Sequence, residues 1–111
     1  MQVSARVDFA AGDNESRRVP RYRANTMATA RQMKQPNEMI HVVDISCEGC
    51  GFRSRWPFTI GARVCLGLPG IETWASTVAW WQDGKGGLKF ERALHPVVAE
   101  RFATRIAQDG G

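Results

Sequence analysis

The sequence is poor in the residues that would declare a chemistry outright. It has three cysteines and two histidines among 111 residues. An odd number of cysteines without repeat spacing does not indicate a disulfide framework, and free thiols in a reducing cytoplasm are the simplest reading. Cys47 and Cys50 form a C-x-x-C pair, but a structural zinc site takes four ligands and only Cys65, His41 and His95 remain to complete it. The chain lacks a second C-x-x-C and the βαβ setting in which such a pair opens a helix as a redox motif. No metal or cofactor is therefore expected, and Cys47 and Cys50 read as small fillers in and beside a turn. No Ser/His/Asp set and no paired carboxylates stand out, so an enzyme is the least expected class. No apolar run approaches 18 residues, which leaves no transmembrane helix to place. Residues 1–11 lack an uninterrupted apolar stretch, so no secretory leader is expected. Internal repeats and low-complexity segments are absent.

What is present describes one ordinary globular domain. Hydrophobic residues make up 43% and charged residues 23%. A chain of this length buries roughly 65% of its unfolded surface, enough for one core without staples. The net charge of +4 favours anionic partners without choosing among them. Its distribution is more informative: Arg17, Arg18, Arg21, Arg23 and Arg31 fall close together, with only Asp13 and Glu15 just upstream.

Residues 1–16 read as a loose N-terminal arm. Pro20 argues against a helix in the basic segment that follows, and it holds Val19 extended. Strand-like runs cover residues 22–33, 39–45, a short piece from Phe52, 63–68, 71–82 and 87–90. Val64, Leu66 and Leu68 share one face of the fourth run. Turns are expected at residues 35–38, 46–51, 69–70 and 83–86. The period changes at the end: Pro96 suits a first helical position, and Val98, Phe102 and Ile106 recur every four residues. A helix is expected over about 95–107, with His95 at its start and residues 108–111 as a frayed tail. Several short strands with closely spaced turns suggest a barrel or a sandwich, with the helix covering an open end.

Two local patterns are chemically complementary. Arg17-x-x-x-Arg21, with Arg23 close behind, places planar guanidinium forks that bind phosphate oxygens and stack on flat rings. Asp44-x-Ser46-x-x-Gly49 offers a carboxylate for two donors such as guanine's N1–H and amine, a hydroxyl, and a glycine that lets the backbone turn closely. Each pattern alone is weak; both in this order are specific. Together they resemble the PilZ domain family, bacterial receptors for cyclic di-GMP. The resemblance continues through Gly61-x-x-Val64, Val78-x-Trp80 and Gly87-x-x-Phe90, covering residues 17–106.

The resemblance implies a six-stranded antiparallel β-barrel with a C-terminal α-helix, over residues 17–107. It implies that Arg17 and Arg21 hold phosphate and stack on guanine, that Asp44 and Ser46 read the base edge, and that Gly49 shapes the turn. Arg18 is a weaker candidate. Trp80 or Trp81 is a further one, as an aromatic against the ligand; strand parity alone does not choose between them. It also implies a cytoplasmic effector that orders its arm on binding and acts on motility or surface polysaccharide through a downstream protein partner. Blander readings stand beside it. A basic run is usually a solvated face, and Asp44-x-Ser46 is also turn chemistry. A degenerate member would bind only protein. The four tryptophans beside basic residues also fit a single-strand stacking platform, but they read better as core and barrel surface. Neither nucleic-acid binding nor membrane insertion is expected.

Overall fold

The computed structural model describes residues 19–104. The arm over 1–16, Arg17, Arg18, Ile106 and the tail over 108–111 lie outside the described residues. Six strands form a closed antiparallel barrel: β1 (Arg21–Gln32), β2 (Glu38–Ser46), β3 (Gly49–Arg53), β4 (Arg63–Gly67), β5 (Trp74–Gln82) and β6 (Lys85–Phe90), in spatial order β1-β2-β3-β6-β5-β4. The expected barrel with a terminal helix is the architecture observed, and the sandwich is not. Closure falls to β1, the longest strand. It pairs with β2 along most of its length, and its last residues, Thr29 to Gln32, also pair with β4. The β1–β4 pairing joins the two edges of the sheet to each other, which closes the barrel.

Alternation decides what goes inside. Ile40 and Val42 from β2, Val64 and Leu66 from β4, and Val78 from β5 are fully buried, and Leu68 follows the same face. On β1 the inward positions are small: Ala24, Ala28 and Ala30. The remaining volume is filled by larger groups. Phe52 meets Phe58 edge to face at 4.9 Å between centroids and stacks on Trp81 at 6.0 Å.

Several boundaries differ from expectation, each for a local reason. The first turn lies at Met33-Lys34, where Lys34 adopts a left-handed φ of 66°. The β5–β6 turn needs only Asp83 and Gly84, with φ of 52° and 80°, so Lys85 and Gly86 join the strand. Both left-handed residues are the signature of a two-residue turn that matches strand twist. β3 begins at Gly49, ahead of Phe52, because Gly49 and Gly51 pair with Lys89 and Gly87 instead of turning. The fifth run, expected from residue 71, begins at Trp74.

The helix, α1 (Pro96–Arg101), is much shorter than 95–107. Its start is as expected: Pro96 opens it, and the His95 Nδ1 accepts from the Val97 amide at 3.1 Å. It stops because the chain turns onto the barrel. Ala103 bridges Ala24, and the Thr104 amide donates to the Arg23 carbonyl at 2.8 Å. Val98 and Phe102 still pack on the core, with Ala99 fully buried between them. Among the described residues no helix is long and apolar enough to cross a membrane.

Candidate functional site

The outer wall of the barrel carries one row of register-matched residues across five strands. Arg23 on β1 lies opposite Asp44 on β2, Asp44 opposite Gly51 on β3, Gly51 opposite Gly87 on β6, and Gly87 opposite Trp80 on β5. Two glycines at the centre leave no side chain standing there, so the row is high at its ends and low in its middle. The result is an open trough of about 530 Å³. Arg21, Asp44 and Glu48 line one side, Trp80 and Lys89 the other. Its volume falls in the range of small-molecule sites.

Irregular pairing aims these side chains. The register shifts between Val42 and Asp44 on β2, between Arg23 and Thr26 on β1, and between Val78 and Trp80 on β5. Each shift adds one residue to its strand; on β2 and β5 the inside–outside alternation reverses beyond it, whereas β1 keeps its alternation throughout. On β2 it puts Ile45 inside and Asp44 outside. On β5 it settles which tryptophan faces out. Val78 points inward, and unbroken parity would turn Trp80 inward too. The extra residue, Ala79, leaves Trp80 47% exposed and sends Trp81 against Phe52 and Phe58. Trp80 belongs to the trough and Trp81 to the core.

The Asp44 carboxylate is held from two directions. Its Oδ1 accepts from an Arg21 guanidinium N–H in an ion pair and from the Gly51 amide at 2.9 Å. The carboxylate lies flat on the wall because Gly51 has no Cβ; one placed there would sit 2.6 Å from Oδ2. No donor from the described residues reaches Oδ2 in a hydrogen bond, so that oxygen keeps its acceptor sites. On the opposite side the Trp80 indole leans over Gly87, where a Cβ would lie 2.2 Å from its Nε1.

Ser46 and Gly49 shape the turn behind this wall. The Ser46 hydroxyl is buried, accepts from the Glu48 amide at 3.1 Å and donates to the Gly49 carbonyl at 3.4 Å. It does not line the trough. Gly49 does, and β6 passes so near that a Cβ there would lie 2.2 Å from the Leu88 carbonyl oxygen. The structure therefore brings Arg21, Asp44, Gly49 and Trp80 together and sets Ser46 just behind them. Gly51, Gly87, Lys89 and Glu48 are site residues that sequence reasoning missed. The available signal was glycine in strand interiors, which marks a close approach to the backbone.

Cys50 lies inside the barrel beneath the trough. Burial pushes its thiol up to about 12; the nearby Asp44 charge adds to this and Arg21 opposes it. A thiol so buried and so firmly protonated is a poor nucleophile at neutral pH. Treating the folded protein with iodoacetamide at pH 8 should modify the exposed Cys65 and spare Cys50 until denaturant is added, as peptide mass mapping would show. Equal labelling of the two would mean that the barrel opens at β3. Among the described residues no group of three or more His, Cys, Asp or Glu side chains is placed to hold a metal ion. Compared with protein-family models and with curated proteins, the chain matches none.

Proposed function

We propose that this barrel is a receptor for cyclic di-GMP and works by binding it, not by transforming it. The observation that carries the reading is the row itself: a paired Asp44 and Arg21 face an exposed Trp80 across a floor of glycine. Those groups suit a flat base bearing two donors beside a phosphate. Oδ2 of Asp44 accepts from the guanine edge. Arg21 keeps unused N–H donors for a phosphate oxygen while its pairing holds it at the rim. The Trp80 face receives a ring by stacking. Arg17 and Arg18, a few residues upstream of Arg21, supply further cations to the phosphates in this reading. Ser46 acts by fixing the turn that presents Gly49 and Gly51. The PilZ resemblance of the motif pair points the same way, toward a cytoplasmic effector that passes the signal to a protein partner.

Isothermal titration with cyclic di-GMP, with GTP and cyclic GMP as controls, tests the proposal. Saturable binding near micromolar affinity is expected, about −8 kcal/mol at 1 μM, weakening as salt is added. The absence of both binding heat and a thermal shift would overturn it. Trp80→Ala should weaken binding by roughly 1–3 kcal/mol, the scale of one base stacked on an aromatic side chain. Its melting temperature should stay close to wild type, because Trp80 fills no core volume. A melting shift as large as that of a core deletion would show that the indole is structural.

A further inference from the structure

Trp80, Asp44 and Gly51 line a second, smaller depression of about 170 Å³, which reaches the other end of β3 and β6. Its distinctive members are Arg53 and Lys85. The two are register partners on the outer face of the β3–β6 ladder. Like charges directly opposite one another in a sheet destabilise it. Neither residue forms an ion pair among the described residues, where the ion pairs are Arg21–Asp44, Arg63–Glu91 and Arg92–Glu72. The only carboxylate lining the depression is Asp44, already engaged by Arg21. An uncompensated double positive charge therefore sits beside an exposed indole. The site is also fixed in place: the Ser54 amide donates to the Gly84 carbonyl at 2.9 Å, closing the ladder just beyond Arg53 and Lys85.

Spacing adds the second argument. Lys85, Gly87 and Lys89 point outward from the same strand, with Gly87 beneath Trp80. At ~3.3 Å per residue, Lys85 and Lys89 stand about 13 Å apart along β6. The surface thus offers a cation at each end and a flat ring between them.

We infer that Arg53 and Lys85 form a second anion subsite on the side of Trp80 away from Lys89, taking a second phosphate-bearing portion of the ligand seated in the trough. The identity of that ligand rests on the reading above; the existence of the subsite does not. Inorganic pyrophosphate is the first probe, titrated into the full chain and followed by ¹H–¹⁵N NMR. Saturable shifts are expected at the amides of Arg53, Lys85 and Gly86 and at the Trp80 indole N–H. The double variant Arg53→Gln/Lys85→Gln, which keeps both apolar stems, should raise the midpoint at least tenfold. Absence of saturable shifts there, or an unchanged midpoint in the variant, overturns the subsite. Calorimetry with cyclic di-GMP then connects it to the trough. A tenfold weakening or a lower stoichiometry in the variant supports the connection, and an identical titration overturns it. If wild type gives no heat with cyclic di-GMP yet retains the pyrophosphate shifts, the trough reading fails and the subsite stands.

Discussion

Phe52→Ala is expected to remove about 3–5 kcal/mol of stability, the usual cost of deleting a buried phenyl ring. Phe52 is the largest of the fully buried side chains, at 1% exposure. Its ring joins Phe58, from the segment that follows β3, to Trp81 on the distant β5. Those neighbours cannot collapse into the gap easily. Gly86, whose added Cβ would lie 2.6 Å from the Phe52 ring, is tied into the β6 ladder. Domains of this size hold only about 5–15 kcal/mol in total, so the variant would lose a large fraction of its margin. Urea unfolding monitored by tryptophan fluorescence measures the loss directly. A loss below about 1 kcal/mol would mean that the aromatic cluster is loosely packed. Phe52→Leu, which keeps most of the volume, should cost markedly less.

This core is also where the sequence was most readable. The apolar alternation of Val64, Leu66 and Leu68 on one face, and of Ile40 and Val42 on another, is the plain signature of strands with one buried side, and all five are buried. The breaks in alternation carried the rest, and they were harder to interpret. Val42-Val43 and Trp80-Trp81 each set two apolar residues side by side. A single sequence does not say which of such a pair takes the inside, because that depends on an extra residue in the neighbouring register. The glycines misled in the same way. Gly49, Gly51 and Gly86 look like turn material, yet all three lie in strands beside Gly87. Of the four, two open the trough, one admits the Phe52 ring and one lets β6 pass. The helix was overdrawn because Phe102 continues an i+4 stripe, although the chain has already left the helix to bridge β1. Of the candidate site, Arg21, Asp44 and Gly49 were legible as a motif, because each needs a specific side chain or none. Lys89 and Glu48 belong to the site only through strand pairing and turn geometry, which a motif does not encode.

The Arg21–Asp44 pair gives the second large effect, and it separates binding from stability. Each partner keeps substantial exposure, 58% for the Arg21 side chain and 34% for Asp44. Exposed pairs of this kind contribute about 0–1 kcal/mol to folding. Asp44→Ala also strips the Gly51 amide of its acceptor, which adds about 1 kcal/mol. The folding cost should therefore stay within about 2 kcal/mol, well short of the Phe52 deletion. Binding should suffer more. The carboxylate would lose two charge-assisted hydrogen bonds to the guanine edge and the contact that positions Arg21. At about 1.5–3 kcal/mol per bond to a charged group, a loss of at least 100-fold in affinity for cyclic di-GMP is expected. Arg21→Ala should cost about 1.4–3 kcal/mol, roughly 10- to 150-fold. Because Asp44 both contacts the ligand and orients Arg21, the double variant should lose less than the sum of the two single losses. Strict additivity would mean that the two residues meet the ligand independently. Full affinity in Asp44→Ala would take base reading off Asp44 and leave Glu48 as the other carboxylate lining the trough.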